Sequence, residues 1–212
     1  GHAFHSIESR HHDLIANRGA PIEFCEVASM AMELLGAPHL DVFYKDPAQV
    51  TRARIEHLEG VISLFPWVAM IDSFQHWLYT NPGHSRDQRT SNWLAIMDRF
   101  GTNEMDWSGL EQIRSSRWMR QSHLFGVPFY YIEYAIAQLG ALQVWRNHRK
   151  DPDGAIQNYR AGLALGNTRS LPELYEGAGI RFDFSQEMLE DLIGMVREEI
   201  DSLESSLAKS SG

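Results

Sequence analysis

Glu23, Glu26, Met30 and Glu33 follow one another at spacings of 3, 4 and 3, which on a helix sets three carboxylates along one face. Like charges at these intervals repel mildly, so the stripe asks for a compensating charge. Two readings stay open from this segment alone: a solvated acidic face, or a cation site fed by one or two of the carboxylates. The first residues of the chain offer a partner. His2 and His5 lie three residues apart, with Glu8 one turn further on, so on a helix they point the same way. A lone histidine near a chain end is more often incidental, but imidazole and carboxylate together are the donor set of a divalent metal. A third group lies downstream, where His123 precedes Pro128, Phe129, Tyr130, Tyr131 and Tyr134. A packed aromatic face explains those rings as well as a set of hydroxyl donors does.

These groups need helices to position them, and helical periodicity runs nearly throughout. Residues 22–37 place Phe24, Val27, Ala28, Ala31, Leu34 and Leu35 on one stripe, and Gly36 with Pro38 ends it. Asp46 as N-cap and Pro47 at the first helical position open a long helix that runs to Tyr79. Pro66 should kink it, and Asn81-Pro82-Gly83 should stop it. Further helical patterns span about 85–100, 108–122, 128–149, 152–166, 170–178 and 185–207, with starts at Asp151-Pro152, Leu171-Pro172 and Ser185. No stretch alternates long enough for a strand, and the hairpin dipeptides of all-β chains are missing. The pattern predicts an all-α chain, a single helical domain over 1–212 with a frayed tail over 205–212.

Composition narrows the function classes. Of 212 residues, 19 are Lys or Arg and 28 are Asp or Glu, a net charge of −9, which supplies no basic footprint for nucleic-acid phosphates. The longest apolar run, Leu64 to Ile71, is eight residues and contains a proline, short of the ~20 a membrane span needs. One cysteine, Cys25, rules out an internal disulfide framework and fits a reducing, cytoplasmic setting; it reads most simply as a small buried residue. No phosphate-binding glycine loop is present.

Several ordered segments carry a family resemblance. Gly1-His2-Ala3-Phe4-His5 resembles the second half of the H-E-x-G-H-x-x-H motif of zinc oligopeptidases of the thimet oligopeptidase and oligoendopeptidase F type, peptidase family M3. Glu26 to Glu33 is similar to that family's E-x-x-S-x-x-x-E helix, 24 residues after the second motif histidine. Phe74 to Tyr79, His123 to Tyr134 and Leu171 to Gly179 are similar to further segments, in the same order. The resemblance implies a zinc-dependent peptidase with a helical catalytic domain forming one wall of a substrate channel, and short peptides as substrates. It implies His2 as the second zinc ligand, Glu26 as the third and Glu33 as a carboxylate orienting a ligand histidine. It also implies that His123 and a tyrosine stabilise the oxyanion, with Tyr134 favoured, then Tyr131, then Tyr130.

The pattern is cut at its start. The first motif histidine would fall three residues before Gly1 and the general-base glutamate two before it. The expectation is a C-terminal portion of a longer peptidase, with its missing N-terminal part as a partner, and a chain that alone binds zinc weakly and does not hydrolyse peptides. A non-catalytic helical scaffold of the same fold is the alternative. A di-iron bundle, hinted at by Glu8-Ser9-Arg10-His11, needs a second such motif, and none sits in a matching helix.

Overall fold

The computed structural model describes residues 1–102 and 104–210, and among these every regular element is helical. The elements are α1 (His2–Glu8), α2 (Ile22–Gly36), α3 (Pro47–Thr80), α4 (Arg86–Phe100), α5 (Glu111–Ser116), α6 (His123–Gly126), α7 (Ile132–Lys150), α8 (Pro152–Ala164), α9 (Leu171–Gly177) and α10 (Gln186–Ser210), joined in part by short 3-10 turns. The all-α expectation holds. The chain divides into two compact units, residues 1–62 with 136–212 and residues 63–135.

Asp46 and Asp151 cap helices where the sequence places them, and the structure adds two further caps. Asp46 accepts from the Ala48 amide at 2.9 Å, and Asp151 accepts from the Gly154 amide at 3.1 Å. Ser85 and Gln88 form a capping box that satisfies two amides the helix itself leaves open, and Glu173 accepts from both the amide and the hydroxyl of Ser170. Helix α3 is assigned unbroken through Pro66, which removes the 66-to-62 backbone bond because proline has no N–H. The division between the units falls at that turn, after Ile62.

Three predicted segments differ. The helix expected over 108–122 is only α5, followed by a 3-10 turn at Arg117–Arg120; the Ser115 and Ser116 hydroxyls donate back to the Gln112 carbonyl at 2.9 and 2.7 Å, the local competition that shortens helices. The helix expected from 128 starts at Ile132, because Phe129 takes a positive φ of 57°. The tail expected to fray is helical as far as Ser210, since the stripe of buried Met188, Leu192, Val196 and Leu203 anchors α10; residues 211–212 lie outside the described residues.

In the first unit, Phe24, Val27, Ala28 and Ala31 of α2 are fully buried, as the stripe predicts. The Tyr159 hydroxyl of α8 donates to the Ala28 carbonyl at 2.7 Å, and burial pushes its pKa well up, so it stays a phenol. Gly162 lets α8 meet α9 closely, because a Cβ there would lie 2.6 Å from Ala178 Cβ. The second unit packs around Phe74, Trp93, Ile71, Val68 and Trp118; Phe74 is the hub, in ring contact with Trp77, Trp93 and Trp118.

Candidate active-site clusters

The first cluster forms where α1 touches α2. A Cβ on Gly1 would lie 2.2 Å from Ser29 Cα and 2.3 Å from the Ala28 carbonyl oxygen, so only glycine lets the start of α1 rest against the α2 backbone. That approach brings His2 Nε2 to 3.6 Å from Glu26 Oε2. Glu26 is 9% exposed, which removes the solvated-face reading for this carboxylate: a buried charge needs a partner. Ser29, one turn on, donates from Oγ to Glu26 Oε2 at 2.8 Å and to the Glu26 carbonyl at 3.0 Å, and so fixes the carboxylate's rotamer.

The expected common face of His2, His5 and Glu8 opens out, because each step of three residues falls about 60° short of a full helical turn. His2 meets Glu26 at the surface, His5 is buried with its ring edge-on to Phe24 at 5.9 Å, and Glu8 pairs with Arg160 at 3.0 Å. Burial, with the His2 charge adding to it, holds His5 below the ordinary histidine pKa. The folded state therefore binds fewer protons at this site than the unfolded chain does, and stability falls as pH drops below the ordinary histidine value of 6.5. Thermal melts at pH 5 and 7 should show a smaller difference in His5→Leu than in the parent chain; an unchanged difference would clear His5 of the effect.

Glu33 points elsewhere on α2. Its Oε2 lies 3.3 Å from Nε2 of His57 in α3, a histidine that no motif singles out. The hydrogen bond to His57 comes first among the causes that hold the Glu33 carboxyl below its ordinary range. Cys25, beside Glu26, is half-buried and donates weakly to the Ala20 carbonyl at 3.5 Å. Burial raises its pKa, which keeps it a thiol.

Among the described residues no three His, Cys, Asp or Glu side chains come together as a metal-binding group. The His2–Glu26 pair nonetheless fits zinc: two donors on a tetrahedral ion with bonds of about 2.0–2.2 Å stand roughly 3.3–3.5 Å apart, and the observed separation is 3.6 Å. The Ser29 hydrogen bond is of the kind that would orient a carboxylate holding such an ion. Were Glu26 to hold zinc in a protein with the complete motif, Ser29→Ala would weaken that binding by roughly 10–100-fold, measured by competition with a chelating dye, while the melting temperature of the metal-free protein changes little.

The second cluster, in residues 63–135, surrounds His123 at the start of α6. The ring centres of Tyr130, Tyr131 and Tyr134 lie 5.3, 5.2 and 5.7 Å from the imidazole. Tyr134 Oη is 3.4 Å from His123 Nε2. Tyr131 is buried, and its oxygen accepts from Trp67 Nε1 at 3.0 Å; burial raises its pKa. The backbone bends into this cluster at Phe129, whose left-handed conformation costs roughly 1–2 kcal/mol and whose ring is held between His76 at 4.9 Å and Tyr79 at 5.1 Å. His76 also pairs at 3.6 Å with Asp72. Sequence reasoning missed Ser29, His57, Trp67 and Gln121. Only Ser29 carried a signal, its place in the E-x-x-S-x-x-x-E pattern.

The model of peptidase family M3 matches residues 1–193. Three solved structures share the fold. One described as an oligoendopeptidase F is 32% identical with a TM-score of 0.85, covering 95% of this chain and 35% of its own. PZ peptidase A with an inhibitor is 29% identical with a TM-score of 0.84 and the same coverage. An oligoendopeptidase F from Enterococcus faecium, at 20% identity and a TM-score of 0.70, covers 99% of this chain and 38% of its own and shows likeness of fold alone. The chain spans about a third of the length of these structures. No curated protein sequence matches it.

Proposed function

Because the chain belongs to peptidase family M3, we propose that it is the part of a zinc-dependent oligoendopeptidase that supplies two metal donors and the oxyanion donors for hydrolysis of short peptides. The observation that carries this is the 3.6 Å approach of His2 Nε2 to a buried, Ser29-held Glu26.

His2 and Glu26 would hold the ion, and zinc, when bound, supplies a Lewis acid that polarises the scissile carbonyl and makes water acidic. The protein groups do the rest. The Ser29 bond keeps the Glu26 carboxylate in one rotamer, so the site is organised before the metal arrives. Glu33, ionised and bonded to His57, is the carboxylate that the resemblance assigns to orienting a ligand histidine. Tyr134, with Tyr131 and Tyr130 behind it in order of preference, donates to the oxygen on which charge develops, and His123 acts on that oxygen through its bond to Tyr134. A hydroxyl donor is worth most there, because the charge it meets exists only as the bond breaks.

The H-E-x that opens the family motif is not among residues 1–212. These residues alone therefore offer two zinc donors and no motif glutamate to take the proton of the attacking water, and the proposal is that they do not cleave peptides unaided. A quenched-fluorescent peptide incubated with zinc and residues 1–212, beside the same chain preceded by His-Glu-x and the rest of a family catalytic domain, tests this. Cleavage confined to the second sample is expected. Chelator-sensitive cleavage by residues 1–212 alone would overturn the division of roles.

A further inference from the structure

Behind the His123 cluster stands a hydrogen-bond chain with a fixed direction. Trp67 Nε1 lies 3.2 Å from Gln121 Oε1, Gln121 Nε2 lies 3.0 Å from His123 Nδ1, and His123 Nε2 lies 3.4 Å from the Tyr134 hydroxyl. An indole nitrogen can only donate, so the Gln121 carbonyl must face Trp67; the flipped amide would set donor against donor. The Gln121 amide nitrogen then faces His123 Nδ1 and donates to it, so Nδ1 carries the lone pair and Nε2 the proton. That proton goes to the Tyr134 oxygen, which leaves the Tyr134 hydroxyl proton as the last donor in the series, directed away from His123. The anchor is rigid. Trp67 packs edge-on to Trp93 at 6.0 Å, the Arg117 guanidinium lies over its ring at 4.9 Å, and the same indole N–H also reaches Tyr131.

We propose that Trp67 and Gln121 are positioning residues that set the tautomer of His123, so that Tyr134 presents its hydroxyl proton, and not its lone pair, to the oxyanion. Successive donors in such a series polarise one another, so the terminal hydroxyl is a stronger donor than an isolated tyrosine. The catalytic consequence rests on the oxyanion reading above; the tautomer rests on the hydrogen-bond geometry alone.

Gln121→Glu reverses the series. A carboxylate accepts from Trp67 and also from His123, so the ring proton moves to Nδ1, Nε2 becomes an acceptor, and the Tyr134 proton turns inward to it. Nitrogen-15 chemical shifts of the His123 ring in the 212-residue chain, with the ring neutral, read this directly. The native chain should show the Nε2–H form, and Gln121→Glu should shift the ratio of the two forms by roughly tenfold or more toward Nδ1–H, the worth of one good hydrogen bond. Gln121→Met, which can neither donate nor accept there, should lie between them. In a peptidase with the complete motif, Gln121→Glu should lower kcat by about tenfold at unchanged KM. An Nδ1–H native ring, or a ratio that Gln121→Glu leaves alone, overturns the proposal. A reversed ratio with unchanged kcat upholds the series and rejects instead the assignment of Tyr134 to the oxyanion.

Discussion

Glu26→Gln in a protein carrying the whole H-E-x-G-H motif is expected to cost more zinc affinity than the ~10–100-fold typical of an outer-shell loss, and to take peptide cleavage to background. The substitution keeps the size of the side chain and an oxygen that can still accept from Ser29 Oγ, which bonds Glu26 Oε2 at 2.8 Å. The metal-free fold should therefore survive. What disappears is the negative charge, at a position that is 9% exposed and 3.6 Å from His2 Nε2, where no water can replace it cheaply. Isothermal titration with zinc and a melting curve of the metal-free protein separate the two effects. Retained affinity in Glu26→Gln would remove Glu26 from the ligand set, and a collapsed melt would make it a structural residue.

Tyr134→Phe should lower kcat by roughly 100- to 1,000-fold, the loss seen when one oxyanion donor is removed, with little change in KM. The hydroxyl is the group within reach of His123, at 3.4 Å, whereas the Tyr131 oxygen already accepts from Trp67 at 3.0 Å and sits buried. Tyr131→Phe should consequently cost more stability and less turnover than Tyr134→Phe. A donor used only as charge develops lowers kcat and kcat/KM together; an effect confined to KM would assign Tyr134 to substrate binding, and an unchanged rate would remove it from the mechanism.

Much of this was legible in the residues, and the exceptions have physical causes. The α2 stripe predicted both the buried face, Phe24, Val27, Ala28 and Ala31, and the carboxylate face, because helical spacing fixes directions. It could not say which carboxylate is buried; that follows from Gly1, whose missing side chain lets α1 settle on Ala28 and Ser29 beside Glu26. His5 was grouped with His2 by spacing, yet it faces Phe24 and the core. The Trp67–Gln121–His123 series joins residues 54 positions apart at its first step, beyond the reach of local pattern. The late start of α7 was hidden for another reason: a phenylalanine at φ 57° is held by ring contacts with His76 and Tyr79, and sequence propensity gives no sign of it.

The dependence of turnover on bound zinc tests the central claim most directly. A metal-free preparation carrying the complete motif should be inactive, and cleavage of a short unstructured peptide should rise in proportion to zinc added, levelling at one ion per chain, while Glu26→Gln stays flat throughout. Full cleavage by the metal-free protein, or a level reached without regard to zinc content, would contradict the account.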